Sequence, residues 1–220
     1  MTQERKSTVL ARAIWATIAG VSLATAAEPP PATCASAEEA RAVRAFYAEL
    51  PSAPPLVARR HMGLAEEVVA SGIGAGQAAG VSGAHFRAVW ESLAEWPRGF
   101  FIMDQHGWVM KFEAPVPALL GNQRKDEFTD VKAPGEDGLV SHFRPDLVTS
   151  IHAVALPGGL GRDGKLREGM TRAVIFYDAS RESVFGIYAS LAGESLPADP
   201  VPAFEKTMAL MRSLPQVCLR

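Results

Sequence analysis

The chain has 220 residues, of which 48% are apolar and 21% charged. That composition belongs to a folded protein with a sizeable core, one domain's worth of chain, and it excludes a disordered polymer. A formal charge of −2 supplies no electrostatic case for a nucleic-acid partner.

Arg5 and Lys6 precede an apolar run from Ala13 to Ala27 that closes on small residues. This is the layout of a secretory signal peptide, and the run is too short and Ala-rich for a spanning helix. Residues 1–27 are therefore expected to be removed, with the secreted form starting near Ala27 or Glu28 in the periplasm. A retained N-terminal membrane anchor and a cytoplasmic chain with a wrong start are the alternatives. Glu28-Pro29-Pro30-Pro31 reads as a stiff linker over residues 28–35, followed by a single domain over 36–220.

Ser36-Ala37-Glu38-Glu39 carries a capping-box pattern and predicts a helix to about Leu50, with Ala40, Val43, Phe46, Tyr47 and Leu50 as its stripe. A second helical region follows Pro54-Pro55 and breaks near Met62-Gly63. Two short helices of this kind suggest a helix-turn-helix, but without a basic surface DNA binding has no support. Gly72-Ile73-Gly74-Ala75-Gly76 is not a dinucleotide fingerprint: no strand precedes it and the spacing is wrong, so it reads as a flexible connection. From Ser82 or Gly83 a helix runs to Pro97, with Phe86, Val89, Trp90 and Leu93 on one side.

Gly99 to Glu113 reads as a hairpin turning at Asp104-Gln105-His106-Gly107. Pro115 to Gly138 reads as loop, with one short strand at Phe128. Gly138 to Ala189 gives the strands GLVSHFR, SIHAVALP and TRAVIFYDASRESVFGIYA, the last folding back at Asp178 to Arg181. The intervening Gly158-to-Gly169 stretch reads as a long basic connection without order. Phe204, Met208 and Met211 mark a closing helix. The fold class is α+β: a large antiparallel sheet with helices grouped before it and one after it.

Cys34 and Cys218 stand near the two ends of the mature chain, and in an exported protein they can pair; two free thiols are the alternative. A Ser/His/Asp triad has no G-x-S-x-G elbow to rest on. A zinc site would need His142 and His152 facing each other plus a third ligand that is not evident. His61 and His85 fall on helices as surface residues, and His152 reads as a hydrogen-bonded core or edge histidine.

The order and spacing of these segments resemble the haemin-handling HemS/ChuX/HutX family. There a strand carrying His-x-Arg leads into an I-A-x-V strand, a loop and a V-x-F-F-D hairpin. His142-Phe143-Arg144 matches the first motif, and Phe176-Tyr177-Asp178 with Phe185-Gly186-Ile187-Tyr188 matches the hairpin. Phe101 to Glu113 resembles the family's first hairpin, so the likeness spans roughly residues 55 to 190 in a single repeat. The resemblance implies non-covalent haem, or another tetrapyrrole, as cofactor. It implies His142 as the main protein ligand of haem iron, with a structural histidine bonded to a backbone group as the alternative, and Arg144 as a cation for a propionate. The family's other ligand histidine falls on Asp104, and His106 is the nearby replacement as a second iron ligand. Phe100, Trp108, Met110 and Phe112 are candidates for the walls of the slot, or plain core. Lys125-Asp126-Glu127-Phe128 departs from the H-G-Y-Y-N-like segment of several members. The implied function is a carrier or sequestering protein in haem-iron acquisition, with a haem transporter component as partner and a possible homodimer. The alternatives are a haem-degrading oxidoreductase and an exported interaction module without cofactor.

Overall fold

The structure, a computed structural model, describes residues 33–105, 107–123, 128–133, 140–161, 163–194 and 196–218. Residues 1–27, expected as a signal peptide, most of residues 28–35, His106 and Lys125 to Glu127 lie outside the described residues.

Three helices come first: α1 (Ala37–Glu49), α2 (Pro55–Met62) and α3 (Glu66–Gly72). The capping box forms as the sequence predicts: the Glu39 N–H donates to the Ser36 hydroxyl at 3.2 Å and the Ser36 N–H to the Glu39 carboxylate at 2.7 Å. Gly63 ends α2 with φ 67°, a left-handed conformation that glycine adopts without penalty. Strand β1 (Ala78–Ser82) leads through a 3₁₀ turn into α4 (Phe86–Leu93). Next come β2 (Gly99–Gln105), β3 (Trp108–Ala114), β4 (Ala118–Gln123), β5 (Thr129–Lys132) and β6 (Val140–Phe143). The long strands β7 (Ser150–Leu160), β8 (Leu166–Tyr177) and β9 (Ser183–Ser190) follow, and α5 (Val201–Ser213) closes the fold. Among the described residues no helix is long and apolar enough to cross a membrane.

Two antiparallel sheets result. The larger has the order β1-β7-β8-β9-β2-β3 and the smaller β4-β5-β6. The large sheet is buried on both faces, which is why β8 reads as the unbroken run Ala173 to Tyr177 rather than as an alternation. Ala173, Ile175 and Tyr177 pack with Val43, Leu56 and Val69 of the opening helices. Val174 and Phe176 pack on the other side with α4, α5 and the small sheet. Trp90 joins the two sheets there. Its ring lies 4.8 Å from that of Phe143 on β6 and 5.8 Å from that of Phe185 on β9, and its Nε1–H donates to the Pro117 carbonyl at 2.8 Å.

Three sequence expectations are corrected, and one strand arises where none is signalled. Pro115 to Gly138 is not a loop with one short strand, since β4 and β5 both form there and carry the small sheet. Gly158 to Gly169 continues β7 and β8 outward as a paired arm, with Leu160 opposite Leu166. The strand β1, Ala-Ala-Gly-Val-Ser, had no β-rich signature. Its small residues answer to close packing instead: a Cβ on Gly80 would lie 2.8 Å from both the His152 ring and the Val217 carbonyl. His152 is fully buried as expected, yet neither ring nitrogen has a hydrogen-bond partner among the described residues.

That histidine opposes a buried acid on the same side of the sheet. Burial pushes Glu66 up to about 7, against the Ser183 hydroxyl that donates to it at 2.8 Å and the nearby Arg59. Burial pushes His152 down to about 4. The folded state therefore holds more protons at Glu66 between pH 4.5 and 7, and fewer at His152 between 4 and 6.5. Their contributions to stability run in opposite directions with pH, each roughly 3 kcal/mol at full extent. Urea unfolding at a series of pH values separates them. Glu66→Gln is expected to gain stability as pH rises from 4 to 6.5, and His152→Leu to lose it as pH rises from 4.5 to 7. Equal slopes in the two variants would overturn the assignment.

Candidate functional site

Strand alternation gives the small sheet an inner and an outer face. Thr129, Val131 and Phe143 turn inward toward the core, and Asp130, Lys132, Val140 and His142 turn outward. His142 stands in register with Asp130, and its Nδ1 lies 2.6 Å from Oδ1 of that carboxylate. An ionised carboxylate only accepts, so Nδ1 is assigned the proton, and the neutral ring keeps its lone pair on Nε2. A carboxylate behind an imidazole fixes the ring and its tautomer, which is how metal-ligating histidines are commonly supported. The His142 side chain is 49% exposed, so this nitrogen is accessible.

Arg144 lies two residues further along, and its guanidinium meets Asp146 as a fork, at 2.9 Å from Nε and 2.6 Å from Nη2. The hydrogen bond from Arg144 holds the Asp146 carboxyl below its ordinary range. The guanidinium carbon is 5.8 Å from the centroid of the Phe128 ring. Val140 and Leu120 add exposed apolar surface, and Lys132 a second cation. The outer face thus offers an iron-competent nitrogen, apolar flanks and cations suited to carboxylates. These are the groups that haem requires, so the residues present fit it.

The other predicted residues do not gather around His142. Phe100 is buried on the opposite, helical face of the large sheet, beneath Lys111 at 4.4 Å, so it cannot share a wall with the other three. Phe112 stacks on Phe101 at 5.2 Å as part of the core. Trp108, 73% exposed, and Met110 stand on the edge strand β3. Among the described residues no hydrogen bond or ring contact joins any of them to His142. His106 lies outside the described residues. Asp104, where the family's second histidine falls, is buried and takes hydrogen bonds from Arg59 at 2.9 Å and Arg60 at 2.7 Å. Burial works against its ionisation, but the two arginines outweigh that and keep its pKa below the usual value. It anchors α2 to the sheet. His142 and His152 do not converge, and among the described residues no group of three or more His, Cys, Asp or Glu could hold a metal ion.

Asp130 is the candidate site residue that the sequence does not reveal. It sits in the four-residue strand Thr129–Lys132, too short to announce itself, and only the pairing of β5 with β6 brings it to His142.

A family model described as haem utilisation ChuX/HutX matches residues 79–207, more than half of the chain. Fold and match together define a protein of haem utilisation. The chain belongs to the ChuX/HutX family. Solved structures with the same fold include the haem-binding protein ChuX, 15% identical, with 77% of this chain and 99% of that one covered at a TM-score of 0.59. Holo-PhuS, a haem-binding protein from Pseudomonas aeruginosa, is 17% identical, with 81% and 49% covered at a TM-score of 0.56. ChuS, a haem oxygenase of E. coli, is 11% identical, with 81% and 50% covered at a TM-score of 0.55. No curated protein matches the chain in sequence.

Proposed function

We propose that the chain is an exported haem-binding protein that carries or sequesters haem, with His142 as the iron ligand through Nε2. The observation that carries this reading is the 2.6 Å contact between His142 and Asp130 on an accessible strand face. Haem, when bound, would supply an iron that takes a nitrogen donor, and His142 is the residue that would provide it. Asp130 holds the ring and its tautomer, and Arg144, in exchange for Asp146, supplies a cation to a propionate. The carrier reading is favoured over degradation because the chain covers nearly all of ChuX but only about half of the haem oxygenase ChuS. Export is supported by the basic-apolar-small pattern of residues 1–27 and by the bridge between Cys34 and Cys218, a bond that persists in oxidising compartments.

Haemin titration of the full chain tests the ligand. His142→Ala is expected to abolish the ligated-haem absorption band and weaken binding at least about tenfold, and Asp130→Asn to weaken it by about 10-fold. His106→Ala should have the smaller effect. A folded His142→Ala protein with unchanged affinity and spectrum would overturn the assignment. Loss of the band on adding an electron donor and oxygen would favour the degrading enzyme.

A further inference from the structure

The six-stranded sheet carries a second concave site on its helical side, on the opposite face from the small sheet and His142. It is a groove of about 340 Å³ between the α1–α2 connection, the edge pair β2–β3 and the outer arm of β7–β8. The described residues that line it include Leu50, Leu56, Val57, Ile102 and Leu160, and none is aromatic. A wall of aliphatic branches suits a flexible hydrocarbon chain better than a flat macrocycle, which gains from stacking on rings. At the outer rim Leu160 pairs with Leu166 across the arm, and the two are 55% and 67% exposed. Such a pair is costly in water unless something apolar covers it.

The polar end of the groove is cationic. Lys111 lies over the Phe100 ring and forms an ion pair with Glu194. Arg167 lines the same groove and packs by Gly193, next in the chain to Glu194: a Cβ on Gly193 would lie only 3.2 Å from the Arg167 side chain. Arg167 also pairs with Asp163 at 3.0 Å. The Glu194 carboxylate on Lys111 shows what this end accepts, and Glu194 itself is half-exposed. We propose that this groove binds an aliphatic carboxylate of medium chain length. Its hydrocarbon lies against the Leu56, Val57 and Ile102 floor, and its head replaces Glu194 on Lys111 with Arg167 as second cation. The site is independent of the haem reading.

Calorimetric titration of the full chain with dodecanoate, kept below its micellar concentration, is the test. One saturable site per chain is expected, with dodecan-1-ol and dodecyltrimethylammonium at least about tenfold weaker. Val57→Trp, which fills the floor, and Lys111→Met should each weaken dodecanoate by about tenfold or more with the circular dichroism unchanged. His142→Ala should leave it unaltered. The head-group series on the unmodified chain decides the matter if Val57→Trp does not fold. Absence of saturable binding would overturn the proposal, as would equal affinity for the cationic analogue or indifference to both groove variants. Competition between haemin and dodecanoate would also overturn it, by merging the two sites.

Discussion

Replacing Cys34 and Cys218 with serine is expected to lower the unfolding free energy by roughly 4–5 kcal/mol, because the bridge closes a very long loop and removes entropy from the unfolded chain. The sequence separation is 184 residues, with the two Cα atoms 4.7 Å apart. The bond also holds the tail that extends the sheet beyond β1. The Val217 N–H donates to the Gly80 carbonyl at 2.8 Å, and Gln216 bridges to Val81. The Val217 carbonyl and the His152 ring each lie 2.8 Å from where a Cβ on Gly80 would stand, so the tail packs at the strand that borders that buried ring. Haem affinity is expected to stay within about a factor of three, because the bridge touches α1 and the β1 edge rather than the small sheet. Urea denaturation with and without reductant measures the first effect and haemin titration the second. A loss below about 1 kcal/mol, or a tenfold loss of affinity in a folded protein, would count against this account.

Trp90→Ala is expected to cost about 3–5 kcal/mol and, unlike the cysteine change, to weaken haem binding as well. Trp90 is fully buried and packs against Phe86, Phe143, Phe176 and Phe185. It is the strut between the large sheet and the strand that carries His142, so its truncation loosens the register of β5 and β6 that sets the Asp130–His142 contact. Trp90→Phe retains a ring but leaves the Pro117 carbonyl without its donor, at a cost of about 1–3 kcal/mol. Thermal unfolding ranks the three proteins, and an alanine variant with the haem affinity of the unmodified chain would show that the small sheet holds its shape without the strut.

The parts of this fold that the sequence disclosed are those where local chemistry decides. Ser36 and Glu39 announce α1, and the β-branched and aromatic run Val174 to Tyr177 with its turn at Asp178 announces the β8–β9 hairpin. His142 was legible through its motif. What was not legible depends on partners distant in the chain. β1 is built of residues chosen for close approach to His152 and Val217, and Gly83 sits where a Cβ would fall 1.8 Å from the Val148 carbonyl. Neither constraint leaves a propensity signal. Asp130 needed the pairing of β5 with β6. Residue type groups Phe100 with Trp108, Met110 and Phe112, but the β2–β3 register sets it opposite Glu113, whereas Phe112 faces Phe101. Which side each ring takes is decided by that register, and residue type alone does not reveal it.

The strand order β1-β7-β8-β9-β2-β3 has a consequence for synthesis. The first two strands to leave the ribosome have no neighbour to pair with on the inner side of the sheet until β7 and β9 arrive, and β7, β8 and β9 come last as a local meander. Nucleation therefore falls to the C-terminal half, with the earlier strands adding to its two sides once loop closure over many residues has been overcome. Until then the inner edges of β1 and β2 stay unpaired, and such open strand edges are where wrong pairing starts.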